Sequence, residues 1–183
     1  MIKPGEILDF WFKDAHRPLW WQRNDDFDAA IRARFAGTAE AAALGKLDGW
    51  ISTPEGALAL IIALDQFSRN LHRGSPRTWA QDPKARATTR EALKRGHDAA
   101  FDDPDMKLFM YMPLMHSEDR EDQALCLRLL TERIPDQESA IKASHEHKAV
   151  VDRYGRFPHR NKILGRPNTP EEEEYLSDPD AGW

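Results

Sequence analysis

The sequence predicts an all-α protein of about seven or eight helices packed as antiparallel pairs in a single domain spanning residues 1–183, and three observations predict the helical class. Apolar residues recur at helical spacing along most of the chain. Helix-start and helix-stop residues punctuate it so that most connections are short. No stretch alternates apolar and polar residues as a half-buried strand would. No internal repeat recurs at the roughly 34-residue period of helix-pair solenoids.

Ile7, Leu8, Trp11 and Phe12 set the first short helix after Pro4-Gly5, and Arg17-Pro18-Leu19-Trp20-Trp21 breaks it. The paired Trp residues are expected to wedge helices together. Asn24 or Asp25 caps a helix carrying Phe27, Ile31 and Phe35 that stops at Gly45. Thr53 with Pro54 opens the next helix, which ends in Leu71-His72-Arg73-Gly74-Ser75-Pro76. Asp82-Pro83 starts another on the same logic, closed by Gly96. Behind Asp102-Asp103-Pro104-Asp105, a short helix carrying Met106, Phe109, Met110 and Tyr111 should terminate at Pro113. Ser117 is the expected cap of the following helix, whose stripe is Leu125, Leu129 and Leu130. Asp136 begins a helix that runs through Ala140, Ser144, His147, Val151 and Tyr154 to Gly155. Residues 156–161 read as irregular around Pro158, and Thr169-Pro170-Glu171-Glu172 is a capping box with a solvated acidic start.

The chain is organised around residues 58–70. Leu58-Ala59-Leu60-Ile61-Ile62-Ala63-Leu64 is apolar on every helical face and should be buried on all sides. Asp65-Gln66-Phe67-Ser68-Arg69-Asn70 continues that helix with polar groups. A carboxylate one residue beyond such a run needs a partner, and Arg69 lies one turn on.

Composition excludes several classes. Charged residues make up 31% of the chain with a net charge of -5, which argues against a nucleic-acid binder with a basic face. The single cysteine cannot form an internal disulfide and fits a reducing compartment. No signal peptide opens the sequence and no apolar run approaches the roughly 18 residues of a membrane span. The expectation is a cytoplasmic protein with neither nucleic acid nor membrane as partner.

Two basic stretches stand out in this acidic chain. Arg69, Asn70, His72, Arg73, Arg77 and Trp79 lie between Asp65 and Asp82, and Arg153, Arg156, His159, Arg160, Lys162 and Arg166 follow Asp152 with no acid among them. Arginine is the residue for bidentate recognition of carboxylate or phosphate. A third stretch is Met115-His116-Ser117-Glu118. His116, Glu118 and His159 are the candidates for general acid–base chemistry. Metal and cofactor sites are not expected: there is no H-E-x-x-H, Cys126 stands in an apolar stripe, and His145 and His147 point to different sides of a helix. Neither a nucleophile elbow nor a glycine-rich phosphate loop is present.

Leu64-Asp65-Gln66-Phe67-Ser68-Arg69-Asn70-Leu71, Met112-Pro113-Leu114-Met115-His116-Ser117-Glu118 and Arg153-Tyr154-Gly155-Arg156-Phe157-Pro158-His159-Arg160-Asn161 resemble the hallmarks of the bacterial domain-of-unknown-function family 924. The resemblance extends to Ile7-Leu8-Asp9-Phe10-Trp11-Phe12 and to Gly165-Arg166 with Thr169-Pro170-Glu171-Glu172, and so covers nearly the whole chain. It implies a tetratricopeptide-like, all-helical fold and supplies no reaction. The family's polar positions fall on Asp65, Gln66, Arg69, Asn70, Arg73, His116, Ser117, Glu118, His147, Arg156, His159, Arg160 and Asn161, with Ser68 where proline and Tyr154 where phenylalanine is usual.

Three readings follow. The first is a pocket for a small anionic ligand, phosphate or carboxylate, with hydrolytic or transfer chemistry and a surplus of positive charge. The second is an interaction module for a protein or peptide, showing a contiguous exposed patch at Trp20, Trp21 or Trp79. The third is a purely architectural ion network in which arginines neutralise Asp65, Glu118 and Asp152.

Overall fold

The computed structural model describes residues 2–178, 181 and 182. Among these residues there is no strand, and nine α-helices alternate in part with five short 3₁₀ turns. They are α1 (Pro4–Trp11), α2 (Asp25–Ala43), α3 (Pro54–Leu71), α4 (Asp82–Lys94), α5 (Pro104–Met115), α6 (Arg120–Arg133), α7 (Glu138–Tyr154), α8 (Asn161–Leu164) and α9 (Pro170–Leu176). The helix beyond the expected count is α8, a single turn that begins at the last residue of the segment expected to be irregular.

The start signals act as their chemistry dictates. The side chain of Asn24 accepts from the Phe27 amide, that of Thr53 from the Gly56 amide, and Thr169 forms the reciprocal capping box with Glu172. Helix α3 is the axis of the molecule. All its residues from Gly56 to Ser68 are buried, and it packs against α1, α2, α4 and α5. Phe67 stacks on Phe35 at 5.1 Å and meets Trp11 edge-on at 5.8 Å, so α1 and α2 are clamped to its far face by aromatic pairs worth about 0.5–1.5 kcal/mol each beyond their burial. Helices α5, α6 and α7 pack in succession against the other side. Consequently the C-terminal end of α3 emerges between the end of α5, the start of α4 and the loop after α7.

Three expected boundaries are corrected. Pro113 does not end α5, which continues to Met115. Residues 108–115 are all buried, and that packing outweighs the one backbone hydrogen bond the proline removes. Ser117 does not cap α6. Asp119 does, accepting from the Glu121 and Asp122 amides, while the Ser117 hydroxyl donates to the buried Asp122. Helix α7 likewise begins at Glu138 rather than Asp136.

Candidate functional site

Asp65 is the buried foundation of the site. Its carboxylate has no solvent exposure and meets three donors: Arg69 at 2.9 Å, Nδ1 of His116 at 2.8 Å and Nε2 of Gln66 at 2.6 Å. Burial alone would push its pKa up, but the charges of Arg69 and His116 and these hydrogen bonds more than reverse that, holding the carboxyl at about 2. The i+4 partnership expected from sequence is therefore present, and His116 joins it from the C-terminal end of α5.

Arg69 does not stop at Asp65. Its two terminal nitrogens form a fork on Asp82 at 2.9 and 3.0 Å, at the start of α4. Arg160 reaches the same Asp82 at 3.4 Å and donates to the His116 carbonyl at 3.0 Å. It is carried by the 3₁₀ turn Pro158–Arg160, where Pro158 keeps α7 from continuing. Its guanidinium lies over the rings of Phe157 at 4.5 Å and Trp79 at 5.4 Å and is 7% exposed. Burial lowers its pKa to about 10, and its Nε is buried with no hydrogen-bond partner, a cost of roughly 1–3 kcal/mol.

These groups border a cavity of about 520 Å³ whose walls include Arg69, Arg73, His116, His147, His159 and Arg160. Distant parts of the chain thus bring their guanidinium and imidazole groups to one recess. Trp79, Phe157, Met112 and Met115 give it an apolar side. A second cavity of about 280 Å³, bordered by Ser117 and Glu118, shares His116, Trp79 and Arg160 with the first as wall residues. His147 Nδ1 lies 2.8 Å from the Ala143 carbonyl, which can only accept, so this nitrogen carries the proton. Desolvation holds the His147 pKa down at about 3, and desolvation with the neighbouring Arg160 holds His159 at about 4, so both rings are neutral at pH 7.

Other sequence candidates are engaged away from the recess. Arg156 does not border it. It points to the opposite side of the loop and grips Glu172 at 2.6 and 2.7 Å, tying down α9. The acidic start of α9 is accordingly not all solvated: Glu172 is buried, and Arg156 together with the Thr169 amide holds its carboxyl at about 2. Asn161 is buried and donates to Asn168 and Glu172. Glu118 accepts two hydrogen bonds from Arg166 and one from the Phe157 amide, which suits an anchor better than an acid or base. Asn70 holds Asp28 of α2 away from the recess, and Arg73, although in the recess wall, grips the same carboxylate.

The expected surplus of positive charge is largely absent. Arg69 and Arg160 are matched by Asp65 and Asp82, and Arg73 by Asp28. Sequence reasoning missed Asp82, which reads as a helix start, and Asp28, which lies in the first turn of α2 far from the basic stretch. It also missed the buried Asp122, held by Arg86, Arg90 and Ser117, and the buried Asp98, held by Arg133 and Tyr111. Asp152 pairs with Lys148 rather than an arginine. Among the described residues no group of three or more His, Cys, Asp and Glu side chains could hold a metal ion, and no helix is long and apolar enough to cross a membrane.

The geometry gives His116 a defined chemistry. Asp65 is ionised and can only accept, so His116 donates from Nδ1 and, when neutral, has Nε2 as its basic nitrogen. A buried carboxylate fixing one imidazole nitrogen so that the other acts as a base is the arrangement of an Asp–His dyad.

The family described as "Bacterial protein of unknown function (DUF924)" matches residues 7–180. A solved structure of a protein of unknown function from Agrobacterium tumefaciens is similar, at 41% identity and a TM-score of 0.89, over 96% of this chain and 97% of that one. No curated protein matches.

Proposed function

The chain belongs to this bacterial family of unknown function, which assigns it no reaction, and we propose from the geometry that the recess binds a small anionic ligand with His116 as its proton-transfer residue. The carrying observation is the 2.8 Å contact that fixes His116 on a fully buried Asp65, in the wall of a cavity shared with Arg160. Because the wall's guanidinium groups already have carboxylate partners, a single negative charge or a polarised carbonyl suits it better than a dianion.

The reaction class that fits is hydrolysis. Nε2 of His116 takes a proton from water, the water oxygen attacks the bound carbonyl or phosphoryl centre, and the same proton passes to the departing oxygen. Isothermal titration of wild type and His116→Gln with acetate and with inorganic phosphate tests the binding. Acetate should bind the wild type with His116 doubly protonated, Nε2–H donating to the ligand carboxylate while Nδ1–H stays on Asp65, and lose roughly tenfold in affinity in the variant, the scale of one charge-assisted hydrogen bond. Binding of neither anion, or identical binding by the variant, would refute the proposal.

A second reading, a tetratricopeptide-like interaction module, draws on Trp21, which is 62% exposed. Trp20 is anchored to the Trp11 carbonyl at 3.1 Å and Trp79 lies beneath Arg160, so the three rings do not form one exposed patch.

A further inference from the structure

A third cavity, of about 560 Å³, adjoins the recess. The two share Trp20, Trp21, Met112, Met115 and Ala143 as wall residues. Beyond that shared wall the new arm is bordered by Pro18, Leu108, Ser139 and Ala140, and its charged groups and Gln137 are spoken for. Arg17 is bound to Asp103 and Asp105 and stacked over Trp20 at 5.5 Å, while Gln137 donates to Asp105 at 2.9 Å. One end of the combined cleft therefore offers an imidazole base and a buried guanidinium, and the other offers tryptophan and methionine surface with its charges internally satisfied. Methionine is the side chain that adapts to an irregular apolar guest, and each cavity is of the size that takes a small organic ligand.

We propose that the cleft takes an amphipathic acyl compound, a medium-chain carboxylic acid or its ester, with the carboxyl group at His116 and Arg160 and the apolar chain in the Trp–Met arm. This rests on the reading of the recess given above and adds to it the class of ligand. Charge complementarity selects the head group: the matched ion pairs favour a monoanionic carboxylate or a neutral ester over a phosphate dianion. The exposed Trp21 at the junction of the two cavities serves as the lip over which the chain passes.

The test is a chain-length series by isothermal titration on the full chain: acetate, butyrate, hexanoate, octanoate and decanoate, with decanol and decylamine as head-group controls and p-nitrophenyl acetate and decanoate as the ester arm. Affinity should rise about two- to fourfold per added methylene, the upper figure corresponding to about 0.8 kcal/mol for a fully buried group. Decanol and decylamine should bind at least tenfold more weakly than decanoate. Preferential turnover of the decanoyl ester would identify the ester as the substrate, and binding of the acid without turnover would identify the free acid as the ligand. Ala140→Trp, and Ser139→Trp from the more exposed side of the same arm, should abolish the chain-length gain. Acetate binding with no chain-length gain would overturn this inference and leave the anion pocket standing. Binding of no member of the series would overturn both. Decanol or decylamine equalling decanoate would overturn the placement of the carboxyl at His116 and Arg160.

Discussion

Replacing Asp65 by Asn separates the charge of this residue from its shape. In the wild type the carboxylate is fully buried among Arg69, His116 and Gln66. Breaking a buried pair by removing one partner costs about 3–5 kcal/mol, because the remaining charge is left uncompensated. Here Arg69 keeps its fork on Asp82, which places the loss near the lower end, about 3 kcal/mol. For a chain of this length that corresponds to a fall in melting temperature of roughly 6–12 °C. The difference should also depend on pH. A carboxyl held at about 2 against an ordinary 3.8 contributes stability that is present above the unfolded value and is lost as pH falls through the folded one. That ionisation is worth about 2 kcal/mol, so the gap between wild type and D65N should narrow from pH 4 toward pH 2. Calorimetry at pH 7 and along that acid series measures both. A variant melting within a degree or two of wild type at neutral pH, or a gap that does not change on acidification, would refute the reasoning.

Three further outcomes follow from individual side chains. His147 and His159, held at about 3 and about 4, should show no ring titration by NMR between pH 7 and pH 5; since the unfolded rings take up protons near 6.5, stability should fall as pH drops from there toward those values. Burial pushes the Cys126 thiol up to about 12, so a disulfide reagent at pH 8 should modify the native protein only at its rate of opening and the denatured chain at once. Gly56→Ala should destabilise by about 1–3 kcal/mol despite the better helix propensity of alanine, because the added methyl would sit 2.1 Å from the Trp50 carbonyl oxygen; a denaturation midpoint at or above wild type would show the close approach to be wrong.

The start of α3 was legible because its signals are local. Thr53 and Pro54 lie next to the turn they cap, and seven consecutive apolar residues leave no exposed face. The Asp65–Arg69 pair was legible for the same reason, being one helical turn apart. What lay beyond reach depends on pairings across long separations. Asp82 reads as an ordinary helix start, yet it is the common partner of Arg69 and of Arg160, which stands 78 residues away. Arg156 and Arg160 look alike in sequence, four residues apart on either side of Pro158. The turn at Pro158 sends one outward to Glu172 and the other inward to the recess. Ser117 has the chemistry of a cap, but the buried Asp122 claims its hydroxyl and Asp119 takes the role. Burial of Asp98 and Asp122 has no local mark either, because their arginines come from other helices.

The central claim is that His116, oriented by Asp65, faces a bound carboxyl group. Long-range ¹H–¹⁵N spectra of histidine-labelled protein, recorded during titration with decanoate, test it directly. The His116 Nδ1 resonance should report the protonated nitrogen before ligand is added, and Nε2 should shift along a single saturation curve while His16 and His97, which hydrogen-bond the Phe10 and Ile51 carbonyls, stay in place. A proton on Nε2 rather than Nδ1 in the free protein at neutral pH, or a saturating ligand that leaves the His116 ring unmoved, would contradict the account.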